Sequence, residues 1–188
     1  GLQKSLNYDF NRSIKNAPVF NGEDHIGLNG EEYFGPDWEK TIRIEQWMSP
    51  FHGRSLTAIW NFDRTRSRTW TASGIAFRPD ALETLSTIAM DVNRLAEYVY
   101  EIADKPADVG ILFSKTTRIM NYDHLNGCYK TYSNLLFNGI KPMFAMESQP
   151  ESVHKFDILY LPNCKNIDIK MLEEEKEDKH HKSSNCAT

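Results

Sequence analysis

The chain has 188 residues, of which 40% are hydrophobic and 26% charged, and its formal net charge is −4. This composition is typical of a globular protein and excludes a chain that is disordered throughout. A negative chain without a clustered basic face lacks the surface by which proteins usually bind nucleic acid. The apolar runs are too short to span a membrane, and no signal peptide is visible.

The first half of the sequence predicts alternating helices and strands. Its apolar residues Leu2, Leu6, Phe10 and Ile14 recur at helical spacing, with no N-cap residue before them, so we expect the native N-terminus further upstream. The following predicted elements are a strand from Val19 to Phe20 that ends at residues 21–25, a helix over 37–51 closed by His52-Gly53, and a strand over 55–62. The last strand is mostly apolar, which predicts that both its faces are covered, as in parallel sheets.

A long loop over residues 63–78 separates this half from the strongest helical pattern, which predicts one helix over 79–103. Lys105-Pro106-Ala107 is the best candidate linker. The elements predicted after it are a strand over 108–114, a loop over 115–123, a helix over 124–137 ended by Asn138-Gly139, and strands over 142–146 and 156–161. Strands and helices alternating at these lengths predict a doubly wound parallel sheet.

Neither the end of the chain nor the cysteines form a recognisable catalytic or metal-binding motif. Residues 173–179 are all charged, and His180-His181 follows, so the tail from residue 171 is predicted to be solvated. The three cysteines, Cys128, Cys164 and Cys186, are widely spaced and odd in number. This pattern favours free thiols in a reducing compartment, hence the cytoplasm, and predicts no metal site.

Polar residues follow the first predicted strand directly, and Glu23 lies among them. In a barrel of parallel strands the catalytic groups gather at the carboxyl ends of the strands, so Glu23 would point into the barrel mouth. Retaining glycosidases use one carboxylate as nucleophile and a second as proton donor. Hydrogen bonds from His25 or Arg64 would keep a nucleophilic carboxylate ionised. Nearby tryptophans, including Trp60 and Trp70, are candidates for sugar platforms, although core packing is the more frequent role of this residue.

Three stretches carry a resemblance to a known family: residues 9–13, 18–25 (PVFNGEDH) and 46–64 (QWMSPFHGRSLTAIWNFDR). They resemble the seventh and eighth barrel units of family 42 β-galactosidases. In that family the earlier strand ends in the nucleophilic glutamate, and a later helix ends in Ala-His-Gly before the last strand. The resemblance places the nucleophile on Glu23 and the aromatic residue closing the last strand on Trp60 or Phe62. His25, Arg64 and Trp70 are the further candidates for lining the sugar subsites.

The region from Asp108 to Asn163 is similar to the second domain of that family, a flavodoxin-like fold related to class I glutamine amidotransferases and used for trimer formation. The resemblance therefore implies an α/β chain with the last units of a (β/α)8 TIM-type barrel over residues 1–104. A partial flavodoxin-like domain over 105–170 and a disordered tail over 171–188 would follow. It also implies a carbohydrate substrate, a homotrimer, and neither a cofactor nor a metal.

The sequence departs from the family at two points. Asp24 follows Glu23 where the family has glutamine, which indicates a divergent branch. The family's proton-donor glutamate lies on its fourth strand after an asparagine, and no such unit is found in these residues. Because removing either carboxylate abolishes most of the rate, we expect this chain alone to be inactive as a glycosidase.

Two other functions remain open from the sequence. The chain could be a noncatalytic oligomerisation or interaction protein, with the flavodoxin-like domain as its assembly surface. A third possibility is an amidotransferase-like hydrolase that uses Cys164 as nucleophile. It is disfavoured because Cys164 lacks flanking glycines, and Cys128 falls inside a predicted helix.

Overall fold

The computed structural model describes residues 2–25, 38–60, 79–168, 170 and 173. Contacts divide the chain into two compact units. Unit 1 comprises residues 1–8 and 17–105, and unit 2 comprises residues 9–16 and 106–188. One division falls between Lys105 and Pro106, and another falls within the first helix, whose beginning belongs to unit 1 and whose end belongs to unit 2. None of the described helices is long and apolar enough to cross a membrane.

Helices and strands alternate along the chain. The first half contains α1 (Leu2–Ile14), β1 (Val19–His25), α2 (Trp38–Phe51), β2 (Arg54–Trp60), α3 (Pro79–Arg94) and α4 (Ala96–Asp104). The second half contains β3 (Val109–Phe113), α5 (Lys115–Met120), α6 (Asp123–Phe137), β4 (Met143–Met146), a 3-10 helix (Pro150–Lys155) and β5 (Ile158–Tyr160).

Unit 1 is built on a pair of parallel strands, β1 and β2, with α2 and α3 packed on one face. Its core joins Ile42 of α2 to Ala81 and Ile88 of α3, and Ile59 of β2 packs against them. Gly53 ends α2 with a φ of 91°, the left-handed backbone predicted for a helix terminus. The α/β character inferred from the sequence is therefore confirmed here.

The prediction that both faces of the second strand are covered is wrong for the described residues. Side chains alternate along β2, so Ile59 faces the helices whereas Leu56 and Trp60 face the other way. Leu56 is 62% exposed and Trp60 is 47% exposed. An apolar strand sequence shows that both faces could be buried, but coverage depends on elements elsewhere in the fold.

The single helix predicted over residues 79–103 is two helices, α3 and α4, separated at Leu95. Leu95 has φ −102° and ψ 14°, outside the helical region. Its carbonyl nevertheless accepts a hydrogen bond from the Val99 N–H, and its N–H donates one to the Asp91 carbonyl. Because the apolar periodicity and the hydrogen bonding both continue across the break, the sequence pattern does not reveal it. Several apolar side chains on these helices, among them Met90 and Ile102, are exposed.

Unit 2 contains a three-stranded parallel sheet in the order β4-β3-β5. The central strand β3 is buried along most of its length, as its apolar sequence predicts. The predicted loop over 115–123 instead begins with the short helix α5, because the Ser114 hydroxyl accepts a hydrogen bond from the Thr117 N–H and caps that helix. Helix α6 agrees with its prediction, and Gly139 after it has a φ of 77°.

The end of α1 forms part of the unit 2 core. Phe10 packs edge-on against Phe113 and Phe144, with ring centroids 4.8 and 5.3 Å apart. The Tyr132 hydroxyl donates a hydrogen bond of 2.6 Å to the Asp9 carboxylate, and both residues are fully buried. The predicted apolar stripe of α1 is only half-buried, and its last residue, Ile14, is exposed. The fully buried side chains of α1 are Ser5, Tyr8 and Asp9.

Candidate active site

The carboxyl ends of β1 and β2 lie at one edge of the sheet because the strands are parallel. His25, the last residue of β1, is in register with Trp60, the last residue of β2. Their ring centroids are 6.0 Å apart, and the Nε2 atom of His25 is 3.9 Å from a carboxylate oxygen of Glu23. The structure thus brings together three of the five residues singled out in the sequence.

Glu23 projects from an irregular part of β1. The register between the two strands shifts between Asn21 and Asp24, so the backbone around Glu23 departs from regular pairing. The Glu23 N–H donates a hydrogen bond to the Asn21 side chain, which in turn donates to the hydroxyl of Tyr8. The Glu23 side chain is 60% exposed and lies near the ring of His25, which in turn neighbours the exposed ring of Trp60. This arrangement leaves the carboxylate accessible to a ligand.

The neighbouring Asp24 has the opposite environment and is fully buried. One carboxylate oxygen accepts a 2.9 Å hydrogen bond from the Lys4 ammonium group. The other accepts hydrogen bonds of 2.9 to 3.1 Å from Gln46, Arg54 and Thr57. Sequence reasoning named Asp24 only as a departure from the family. Its strand position, one residue from an exposed glutamate, was the signal that it faces the other side.

Burial by itself raises the pKa of Asp24, but the hydrogen bonds from Lys4, Gln46 and Thr57 and the charge of Lys4 outweigh it and lower the pKa below its usual value. Burial by itself lowers the pKa of Lys4, and its contacts with Glu45 and Asp24 reverse that effect and raise it. Asp24 is therefore an anion that accepts hydrogen bonds on both of its oxygens. It cannot act as the proton-donating second carboxylate of a glycosidase.

Two predicted site residues, Arg64 and Trp70, lie outside the described residues, as do Phe62, Cys186 and most of the charged tail. Across the part of the chain that the structure describes, no group of three or more histidine, cysteine, aspartate or glutamate side chains is placed to hold a metal ion. The chemistry available at the described edge is that of a carboxylate, an imidazole and an indole.

The rival nucleophile in unit 2, Cys164, lies beside a buried histidine. Its sulfur is 3.8 Å from the Nδ1 atom of His124. That nitrogen is 2.7 Å from the Pro162 carbonyl, and the Nε2 atom accepts a hydrogen bond from the Ser114 N–H. Nδ1 must therefore carry the proton, which it donates to the carbonyl. His124 is then not free to act as a base toward Cys164.

The cysteine environments also argue against thiolate chemistry. Burial and the nearby Glu147 carboxylate raise the pKa of Cys164 to about 11. Burial and the nearby Cys164 raise the pKa of Cys128 to about 12. Both thiols are free, as the sequence predicted, and Cys128 lies inside α6. Since a reactive cysteine needs a lowered pKa, neither environment favours a thiolate nucleophile.

The fold is similar to solved glycoside hydrolases. The chain matches an exo-carrageenase of family 42 from Bacteroides ovatus with a TM-score of 0.80 and 22% identity, over 94% of this chain and 25% of that one. It matches a catalytic mutant of a family 42 β-galactosidase from G. stearothermophilus with a TM-score of 0.68 and 14% identity, over 94% of this chain and 28% of that one. The likeness to family 42 indicated by the sequence is thereby confirmed for the fold.

The chain spans about a quarter of the length of these two structures. No protein-family model matches the sequence, and no curated protein matches it either. At these identities the structural likeness establishes the fold alone.

Proposed function

We propose that this chain carries the nucleophile, Glu23, of a retaining glycoside hydrolase that acts on galactoside-like oligosaccharides. The observation that carries the proposal is the exposed carboxylate of Glu23 near His25, whose ring neighbours that of Trp60, at the carboxyl edge of two parallel strands. In barrels of this type the substrate is bound at that edge. A carboxylate next to aromatic rings suits a sugar, whose C–H faces pack on rings while its reacting carbon meets the nucleophile.

The second carboxyl group of a retaining glycosidase lies about 5–5.5 Å from the first and acts as the acid and base. Asp24 is buried on the opposite face, where both of its oxygens accept hydrogen bonds from charged donors, so it does not supply this group. We place the acid/base residue outside these 188 residues, on a strand corresponding to the fourth strand of the family. On this proposal the chain alone does not turn over substrate.

The substrate class follows from the site and the two similar structures together. One of those proteins is named an exo-carrageenase and the other a β-galactosidase. Both names support a carbohydrate substrate for the exposed edge of unit 1. Oligosaccharides of carrageenan and aryl β-galactosides are therefore the two substrate sets to test first.

We further propose that unit 2 is a flavodoxin-like domain that supports self-association. With β3 in the centre, the order β4-β3-β5 corresponds to the 2-1-3 order of the first three strands of flavodoxin-like sheets. Large apolar side chains are exposed on this unit, including Ile119, Met120 and Phe137. Exposed apolar side chains of this kind also favour the second candidate function, a noncatalytic oligomerisation protein.

The experiment that separates the two functions is the Glu23→Gln substitution in the full-length protein that contains this chain. We expect turnover of the oligosaccharide to fall by roughly 10³-fold or more, because the covalent step needs the carboxylate. The melting temperature should stay within a degree or two, since the side chain is mostly exposed.

A matched control is Glu39→Gln, which makes the same change at an exposed ion pair with Arg43 on α2 and should retain full turnover. The parent enzyme, treated with a 2-deoxy-2-fluoro-glycoside, should carry the label on Glu23. Unchanged turnover in the Glu23→Gln protein, or a label on another residue, would exclude Glu23 as the nucleophile.

A further inference from the structure

We propose that Asp24 is a positioning residue for Glu23, holding the irregular strand end so that the neighbouring carboxylate stays on the exposed face. The proposal rests on the proposed role of Glu23 as nucleophile. Asp24 itself touches no substrate, because it is fully buried on the other face of the strand. Its effect on the reaction would be transmitted through the single peptide unit that joins the two residues.

Asp24 ties β1 to three other segments of unit 1. Lys4 reaches it from α1 and Gln46 reaches it from α2. Arg54 and Thr57 reach it from β2, the partner strand. Each contact is a hydrogen bond of 3.1 Å or shorter, and two of the donors carry a positive charge. Charge-assisted bonds of this length fix a side chain more firmly than neutral ones.

The residues on both sides of Glu23 are held as well. Lys4 donates a second hydrogen bond of 2.8 Å to the backbone carbonyl of His25. On the other side, Asn21 accepts from the Glu23 N–H and is bound to Tyr8. The backbone that carries Glu23 is therefore fastened immediately before and immediately after it, across the part of β1 where the strand register shifts. A strand end with irregular pairing needs such contacts, because regular ladder hydrogen bonds do not define it.

An asparagine at position 24 has nearly the same shape but cannot satisfy the same partners. All four side chains that contact Asp24 donate hydrogen bonds, on both of its oxygens. The amide nitrogen of asparagine is itself a donor. In one orientation it would face the Lys4 ammonium group, and in the other it would face the three donors that now contact the second oxygen. The substitution would also leave Lys4 and Arg54 with one carboxylate fewer. We therefore expect the strand end to shift without a large change in volume.

The test is Asp24→Asn in the full-length protein, with Glu39→Gln as the matched control for loss of an ion pair. A misplacement of about 1 Å at a reacting group costs on the order of 10²-fold. We expect kcat per active site to fall by about that factor, while KM changes by less than about threefold, because the sugar-binding surface is intact. The number of active sites is counted by titration with the fluoro-glycoside, so a merely unfolded fraction does not lower the measured kcat.

An unchanged kcat per titrated site in the Asp24→Asn protein would overturn the inference. If the parent enzyme neither turns over nor is labelled at Glu23, the proposed function fails instead, and the positioning role is then judged by amide hydrogen exchange. Exchange in residues 22–25 that is at least tenfold faster than in the parent supports it, and smaller changes reject it. In both readouts the Glu39→Gln protein should match the parent.

Discussion

Gly110, in the central strand of unit 2, tests the packing of that unit most directly. A Cβ atom at this position would lie 2.5 and 2.7 Å from two ring carbons of Phe156 and 3.0 Å from Leu159. Phe156 is buried in a core cluster with Leu112, Ala145 and Val153. Because the clash is with a packed ring, Gly110→Ala forces the ring or the strand to move.

The expected cost is about 2–3 kcal/mol, the upper part of the range for adding a methyl group to a filled core. With a urea slope of about 2 kcal/mol per M, the unfolding midpoint of unit 2 would fall by about 1–1.5 M. All four tryptophans lie in unit 1, so their fluorescence does not report this unit directly. Amide hydrogen exchange in β3 reports the stability of unit 2 directly, and we expect Gly110→Ala to accelerate it by roughly 30- to 150-fold.

Two further substitutions test whether the close approach of Phe156 is what requires glycine at position 110. Gly139→Ala adds a methyl group with no atom within 4 Å, at a φ of 77°, and should cost only about 1–2 kcal/mol from backbone strain. Phe156→Ala removes both ring carbons that the added Cβ would meet, so Gly110→Ala combined with Phe156→Ala should cost less than the sum of the two single changes. A Gly110→Ala protein within about 0.5 kcal/mol of the parent, or strictly additive costs, would show that the close approach is not what requires glycine.

Two further predictions follow from titratable groups. The pKa of Asp24 is lowered in the folded state, so its contribution to stability is complete above its unfolded pKa of about 3.9 and is lost as pH falls through the lower folded value. The urea midpoint followed by tryptophan fluorescence should therefore drop on acidification below about pH 4. The drop should be less steep in the Asp24→Asn protein. An equally steep fall of the midpoint with pH in both proteins would contradict the role of this carboxylate. Cys164, with a pKa raised to about 11, should react with a disulfide reagent at pH 7 far more slowly than an unstructured thiol. Comparison of the parent with the Cys164→Ser protein isolates the reaction of Cys164. A fast reaction phase in the parent that is lost in this variant would support the amidotransferase-like function instead.

Local patterns in the sequence were sufficient for most secondary structure. The helical spacing of apolar residues located α1 and the helical region over 79–103, and Gly53 and Gly139 end helices with the left-handed backbone that glycine favours. The run from Val109 to Phe113 indicated a buried strand and is the centre of the sheet. These features depend on residues a few positions apart, so a single sequence contains the information that determines them.

Contacts between distant residues decided the rest. The sequence identified Glu23 as a carboxylate at a strand end, and parallel pairing with β2 brought His25 and Trp60 beside it. The side chains that donate hydrogen bonds to Asp24 lie 20 to 33 positions away in the chain, and no sequence periodicity reveals them. The exposed face of β2 and the break at Leu95 were likewise not evident from composition or spacing. Local spacing fixes which groups a strand or helix presents, whereas the environment of each group is fixed only when elements from elsewhere in the sequence pack against it.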